Sequence, residues 1–129
     1  MESSAELNNS ILLTVKDMIG PSIDYEVFNS QLIMQINSFL NVLTQLGVGP
    51  QEGFEITGPD ETWDDFLGTH EKLQNMCKSY ISIRTRLVFD PPTSSFVIDA
   101  LKKNADELEW RINIMEEEIK RDSSSVHFD

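Results

Sequence analysis

The amino-acid sequence predicts an all-α fold: a small helical bundle of three to four main helices, with a long C-terminal helix and a flexible C-terminal tail. Three observations lead to this prediction. Apolar residues recur every three to four positions over long stretches, Gly-Pro and Pro-Pro pairs separate these stretches, and the last stretch keeps its spacing for three heptads. A length of 129 residues fits one domain with a single hydrophobic core.

The first predicted helix covers residues 9–19. Its apolar residues fall on one helical face, and Asn9 or Ser10 is in position to accept the hydrogen bond of an N-cap. Gly20 and Pro21 end it, because proline has no backbone N–H and restricts the residue before it.

A second helix is expected from Asn29 to about residue 46. With Asn29 as N-cap, Phe28 and Ile33 would be spaced for a hydrophobic staple. Gly47 follows the last apolar position and is suited to the left-handed conformation that closes many helices.

The middle of the chain is predicted to be mostly irregular. Residues 51–59 are rich in turn-forming residues and contain one short extended piece, residues 54–56, which is either a turn-bound strand or nothing regular. Thr62 and Asp65 have the spacing of a capping box, which predicts a short helix that Gly68 ends.

Two long helices are expected in the second half, the first from about Thr69 to Phe89. The last helix begins at a cap among residues 93–95 and runs to about Arg121, so residues 1–121 form a single helical domain and 122–129 a tail. A helix of roughly 27 residues spans about 40 Å, so its end is expected to project or to meet another subunit. The seam of this helix keeps a spacing of three and four residues: Ile98, Leu101, Ala105, Leu108, Ile112, Met115 and Ile119.

Several aromatic residues are candidates for a subunit interface. Trp110 and Ile114 lie off the seam and form a second apolar patch with Phe96 and Ala100. Other aromatic residues flank the helix breakers, where either core packing or interface anchoring would explain them. The interface candidates are Trp63, Phe66, Phe89, Phe96, Trp110 and Ile114.

Acidic charge is concentrated in the first half of the chain. Residues 1–71 carry one base and twelve acids, whereas residues 72–129 carry nine bases and ten acids, giving a net charge of −12 in all. Such a surface repels phosphate, which argues against nucleic-acid binding by charge neutralisation. A solubilising surface, repulsion or mimicry of DNA, and a basic partner all remain compatible with it.

No catalytic, cofactor or metal site is predicted. The sequence contains no phosphate-binding glycine loop, nucleophile elbow or zinc-protease motif. His70 and His127, the only histidines, lie in polar segments, and Cys77 lies in an apolar stripe where a buried, inert thiol is expected. The acids of residues 60–65 lack the ligand pattern of a calcium loop and fit the N-terminus of a helix better.

The sequence also lacks the features of membrane and secreted proteins. It has no apolar run of 18 residues, no basic and then apolar N-terminus, and a single cysteine. A reducing, soluble compartment is therefore expected.

Six stretches in order carry a resemblance to a known family: 11–20, 36–50, 53–54, 63–68, 86–97 and 108–113. The most specific are Leu-Gly-Val-Gly-Pro at 46–50 and Phe-Asp-Pro-Pro-Thr-Ser-Ser-Phe at 89–96. Over roughly residues 10–115 the sequence resembles the head-tail connector (adaptor) proteins of long-tailed bacteriophages that infect Gram-positive bacteria.

The resemblance implies a structural virion protein and no enzyme. Its subunits would form a ring, usually twelve-fold, beneath the portal protein, extend the DNA channel and provide a platform for stopper or tail proteins. DNA would pass without specific binding, and the ring would lie in the neck of the virion after assembly in the host cytoplasm. By analogy with the family, the C-terminal segment would dock on the portal through Val126, His127 and Phe128.

A protein of another class is also compatible with the charge. A small acidic protein that mimics DNA would bind and inhibit a host DNA-binding protein. Assembly with a portal protein separates the two hypotheses.

Overall fold

Five α-helices make up most of the described chain, which comprises residues 9–20 and 28–126 of a computed structural model. In chain order they are α1 (Ile11–Ile19), α2 (Asn29–Gln45), α3 (Trp63–Leu67), α4 (Glu71–Phe89) and α5 (Ser95–Val126). Within these ranges there is no β-strand, only an isolated antiparallel bridge between Ser10 and Thr62. The prediction of an all-α bundle with a long last helix is confirmed.

Helix α4 is the central element, because each of the other four helices packs against it. Its buried side chains include Leu73, Cys77, Tyr80 and Ile81. Since neighbours approach from several directions, α4 also buries polar positions such as Thr85, which a two-sided amphipathic helix would leave in water.

Helix α5 runs antiparallel to α4 and forms a hairpin with it. Ala105 and Ile112 are fully buried, and Leu108, Met115 and Ile119 pack against the core. The predicted seam is therefore confirmed over this part of α5. The two seam residues before it, at 98 and 101, are half-buried.

A polar network fixes how far α4 and α5 are shifted along each other. Arg84 Nη2 lies 2.8 Å from both Asp106 Oδ1 and Glu109 Oε2, and the Tyr80 hydroxyl donates to Glu109 Oε2 at 2.7 Å. Burial, together with the hydrogen bond to Glu109, raises the pKa of Tyr80 to about 12. The phenol therefore stays protonated and remains a donor over the physiological range.

Short-range capping signals are realised at three helix ends. The Ser10 side chain accepts a hydrogen bond from the backbone N–H of Leu13 and caps α1. Thr62 and Asp65 form a complete capping box on α3, in which each side chain accepts a hydrogen bond from the other's backbone N–H at 3.0–3.1 Å. Gly68, at φ +68°, follows α3 directly.

The end of α2 is closed as predicted by Gly47, which has φ +91°. The Gly47 N–H donates to the carbonyl of Thr44 at 2.9 Å, and the Val48 N–H donates to the carbonyl of Leu43 at 3.0 Å. These two bonds form a Schellman motif, and they place Val48, which is fully buried, in the core.

The start of α2 differs from the prediction. Asn29 is the first helical residue, and Phe28 occupies the N-cap position without a side-chain cap. The Asn29 side chain instead accepts a hydrogen bond from Lys16 Nζ at 3.0 Å. The Asn29 side chain thus contacts α1 and does not cap α2. Sequence spacing alone does not reveal this contact.

The extended piece at residues 54–56 is not a strand. Asn37 of α2 takes the place of a strand partner, since its side chain accepts from the Ile56 N–H at 2.7 Å and donates to the Ile56 carbonyl at 3.0 Å. Ile56 is thereby held in the core in an irregular segment.

Helix α5 continues to Val126, five residues beyond its predicted end near Arg121. Residues 122–126, which were assigned to the tail, contain no glycine or proline to stop the helix. The remaining tail residues, 127–129, lie outside the described residues.

A glycine substitution tests the contact between the loop after α2 and helix α3. Gly49 has φ +80°, and a Cβ there would lie 2.4 Å from Phe66 Cε1. We expect Gly49→Ala to lower the free energy of unfolding by about 1–3 kcal/mol, because it combines a left-handed backbone with overpacking. Urea denaturation measures the change.

Gly53→Ala is the matched control. Gly53 also has positive φ, +98°, but an added Cβ there meets nothing within 4 Å. Equal destabilisation by the two substitutions would show that the Phe66 contact contributes nothing beyond backbone strain.

Candidate assembly surfaces

The side of α5 that faces away from the core carries two exposed aromatic rings. Phe96 is 81% exposed and Trp110 is 64% exposed, although a large aromatic side chain usually contributes to stability by burial. We call this surface the outer face of α5. Its residues follow each other at spacings of three and four: Phe96, Ala100, Lys103, Glu107, Trp110 and Ile114.

The outer face is separate from the seam that packs on α4. At 100° per residue its members lie on the opposite side of the helix from Ala105 and Ile112. Ile114 is half-buried. The structure thus places Phe96, Trp110 and Ile114 on one continuous face, as the sequence predicted for the second apolar patch.

Trp63 and Phe66, two of the interface candidates, are core residues of the subunit. Trp63 is 1% exposed, and its Nε1 donates to Thr14 Oγ1 at 2.9 Å. Phe66 is 2% exposed and packs on Phe54 with ring centroids 5.1 Å apart. Both side chains are thus held in the core of the subunit, and core packing accounts for them.

Phe89 is less exposed than Phe96 and Trp110 and less buried than Trp63 and Phe66. It is half-buried at the end of α4 and packs against the core.

A pocket of about 210 Å³ lies at the other end of the α4–α5 hairpin. We call it the α3 pocket, because Phe66 and Leu67 of α3 form one wall. Its lining residues are Gly49, Phe66, Leu67, His70, Leu73, Glu116 and Ile119. Sequence reasoning missed it, since residues from four separate segments form the pocket and no short motif marks it.

Glu116 is the charged group of the α3 pocket. Its side chain is 14% exposed, and its carboxylate lies 3.9 Å from Lys120 Nζ. Burial raises the pKa of Glu116, while Lys120 and His70 act in the opposite direction. The sequence placed this residue in a solvated run of three glutamates, so its burial is a finding of the structure.

The chain from the end of α2 to the first turn of α4 is rich in acidic residues. Residues 46–73 contain seven acids and one lysine, and all of the acids except Glu61 are exposed. Glu61 accepts hydrogen bonds from the N–H and hydroxyl of Thr57 and from the N–H of Gly58. In the described part of the chain no cluster of carboxylate, histidine or cysteine groups could hold a metal ion.

The sequence matches a family model described as phage connector protein over residues 11–119. The match begins at Ile11, the first residue of α1, and extends to Ile119 of α5, which lines the α3 pocket. The chain belongs to the phage connector protein family. Neither the curated proteins nor the solved structures contain a match to it.

The membership gives this connector protein a structural role in the phage head-tail connector, in the neck of the virion. It supports the resemblance drawn from the motifs at residues 46–50 and 89–96. Among the helices described, none is both long and apolar enough to span a bilayer.

Among the described residues, His70 and Cys77 of the connector protein lie where the sequence predicts. His70 is exposed at the start of α4. Cys77 is fully buried, and burial raises the pKa of its thiol. A protonated, inaccessible thiol is unreactive.

The predicted portal-docking segment lies at the limit of the described residues. Val126 is the last residue of α5, and nothing is described of its side chain. His127 and Phe128 lie outside the described residues.

The burial of Glu116 leads to a prediction about pH and stability. When folding raises the pKa of a carboxyl group, the folded state disfavours the charged form of that group. The free energy of unfolding of the protein therefore falls as the pH rises above the pKa that the group has in the unfolded chain. We therefore expect Glu116→Gln to raise the free energy of unfolding at pH 7, with the difference vanishing near about pH 3, where the carboxyl is neutral in both states.

Urea denaturation at the two pH values measures the effect. Glu117→Gln is the matched control, since Glu117 is the exposed neighbour on α5. A loss of stability at pH 7 in Glu116→Gln would mean that the ion pair with Lys120 outweighs the cost of burial.

Proposed function

We propose that this connector protein is an adaptor that forms a ring beneath the portal protein, extends the DNA channel and provides a docking platform for stopper or tail proteins. Its partners are further copies of itself, the portal protein and a tail-side protein. The observation that carries the proposal is the family match over residues 11–119, which includes the whole helical core.

The outer face of α5 supports the ring. Exposed aromatic side chains often anchor protein–protein contacts. In a closed ring each subunit uses one surface toward the preceding copy and a different surface toward the next. The outer face, with Phe96 and Trp110, is suited to be one of these surfaces, and twelve copies are expected from the resemblance.

The charge of the chain supports the role of the channel. Carboxylates along a DNA conduit would repel phosphates and prevent the counterion release that drives non-specific binding. Acidic residues outnumber basic ones by 22 to 10, so DNA would pass as cargo without a specific site.

Size-exclusion chromatography with light scattering, with and without the portal protein of the same phage, tests the function. We expect a discrete ring-sized complex, at the latest when portal protein is present. A monomer that ignores the portal and binds a host DNA-binding protein would contradict the proposal and favour the acidic inhibitor.

Trp110 provides a sharper test of the outer face. We expect Trp110→Ala to reduce assembly on the portal by about tenfold or more, which is typical of a buried aromatic anchor at an interface. Because Trp110 is 64% exposed in the subunit, the melting temperature of the unassembled protein should change little.

Met34→Ala is the control for this substitution. Met34 lies on α2 and is 67% exposed, so it loses a similar amount of apolar surface elsewhere. If Trp110→Ala lowers the melting temperature by as much as it impairs assembly, Trp110 stabilises the subunit and its interface role is wrong.

Removal of residues 123–129 tests the portal-docking segment. The truncation leaves in place Ile119, which packs against the core, and the hydrogen bond from Lys120 Nζ to the carbonyl of Gly47. The truncated protein should therefore unfold at the same urea concentration as the full chain and bind the portal more weakly. Unchanged portal binding would contradict a docking role for Val126, His127 and Phe128.

A further inference from the structure

The tip of the α4–α5 hairpin presents apolar side chains to solvent. We define the hairpin tip as residues 84–104, where α4 ends and α5 begins. Val88 and Val97 are 50% and 40% exposed, and Phe96 projects further than either, at 81%. Lys103 follows Phe96 by seven residues, so both lie on the outer face of α5.

The α3 pocket lies at the opposite end of the same hairpin. Because α4 and α5 are antiparallel, Leu73 near the start of α4 faces Ile119 near the end of α5. The tip and the pocket of one subunit are therefore too far apart to meet within that subunit. Phe96 of the tip and the α3 pocket can therefore meet only when they belong to different copies.

The two ends also differ in charge. The hairpin tip contains four basic and two acidic residues. At the pocket, Glu116 is part of the lining, and the exposed Asp65 and Glu71 adjoin the lining residues Phe66 and His70 in the chain. Arg84 of the tip is engaged by Asp106 and Glu109, while Lys102 and Lys103 are exposed. Opposite charge on two complementary surfaces favours their encounter and fixes their orientation.

We propose that the hairpin tip of one copy docks on the α3 pocket of the next copy, with the Phe96 ring in the pocket and Lys103 beside the carboxylates at its rim. The pocket has a volume of about 210 Å³, and its lining includes Phe66, Leu73 and Ile119, so it offers a phenyl ring both space and apolar contacts. The inference rests on the ring of the proposed function and names the surfaces that meet in it.

The state of Glu116 agrees with this arrangement. A carboxylate that is largely buried beside a single lysine 3.9 Å away is incompletely paired. An ammonium group from a neighbouring copy would complete its pairing. The contact is head-to-tail, so successive copies repeat it until the rotation closes the ring.

Site-specific cross-linking tests the contact directly. In a Val97→Cys/Thr69→Cys variant, one thiol lies next to Phe96 and the other next to His70 at the pocket. Cys77 is fully buried and does not compete. On the portal, a short bismaleimide should link the copies into a ladder of covalent oligomers on a denaturing gel.

Met34→Cys/Thr69→Cys is the matched control, with the same number of exposed thiols but one of them on α2. A ladder in the first variant and none in the control supports the contact. A ring-sized complex without a ladder, or equal ladders in both variants, overturns the contact and leaves the ring intact. If the wild-type chain forms no ring with the portal, the proposed function falls and the contact with it.

A complementation experiment separates a second copy from the portal as occupant of the pocket. Phe96→Glu removes the docking side chain and keeps the pocket. His70→Trp fills the pocket from its exposed rim and keeps Phe96. Each variant alone should lose about tenfold or more of its self-association. An equimolar mixture of the two should form a one-to-one pair, because each variant supplies the surface that the other lacks. Loss of portal binding with unchanged self-association in either variant would assign that surface to the portal and overturn the proposal.

Discussion

The antiparallel pairing of α4 with α5 determines most of the structure. Its register is fixed where Arg84 bridges Asp106 and Glu109 and where Tyr80 donates to the same glutamate. Partly exposed ion pairs of this kind add little stability, so their main effect is to select one alignment among those that an apolar seam of regular spacing would permit. A shift by one turn would separate Leu73 from Ile119 and remove the α3 pocket.

The central position of α4 explains why α5 retains an outer face. The other three helices also pack on α4, so α5 contacts the bundle along one stripe, and its opposite side remains in water. At 32 residues, α5 is also longer than α4, which has 19. A subunit of this shape buries its core completely and still presents aromatic surface for assembly, so folding and assembly depend on different residues of the same helix.

The accuracy of the sequence predictions depended on how far apart the interacting residues lie in the chain. The capping box at Thr62 and the Schellman motif at Gly47 were predictable because all their partners lie within about five residues. The role of Asn29 was not, because its partner Lys16 lies on another helix. Trp63 was ambiguous for the same reason: its indole N–H is satisfied by Thr14, 49 residues away, and without that contact a tryptophan near a helix breaker fits a core or an interface equally well.

The acidic charge has more than one cause, and the structure separates them. Asp65 completes the α3 capping box, Asp64 accepts from Asn9 and Gln74, and Glu61 holds the loop at Thr57. These carboxylates therefore have a local structural role in caps and turns. Glu52, Glu55 and Asp60 are exposed, and no hydrogen bond or ion pair within the described residues engages them. Repulsion of DNA in the proposed channel is therefore better assigned to exposed carboxylates of this second kind, because their charge can serve function without loss of a cap or a turn.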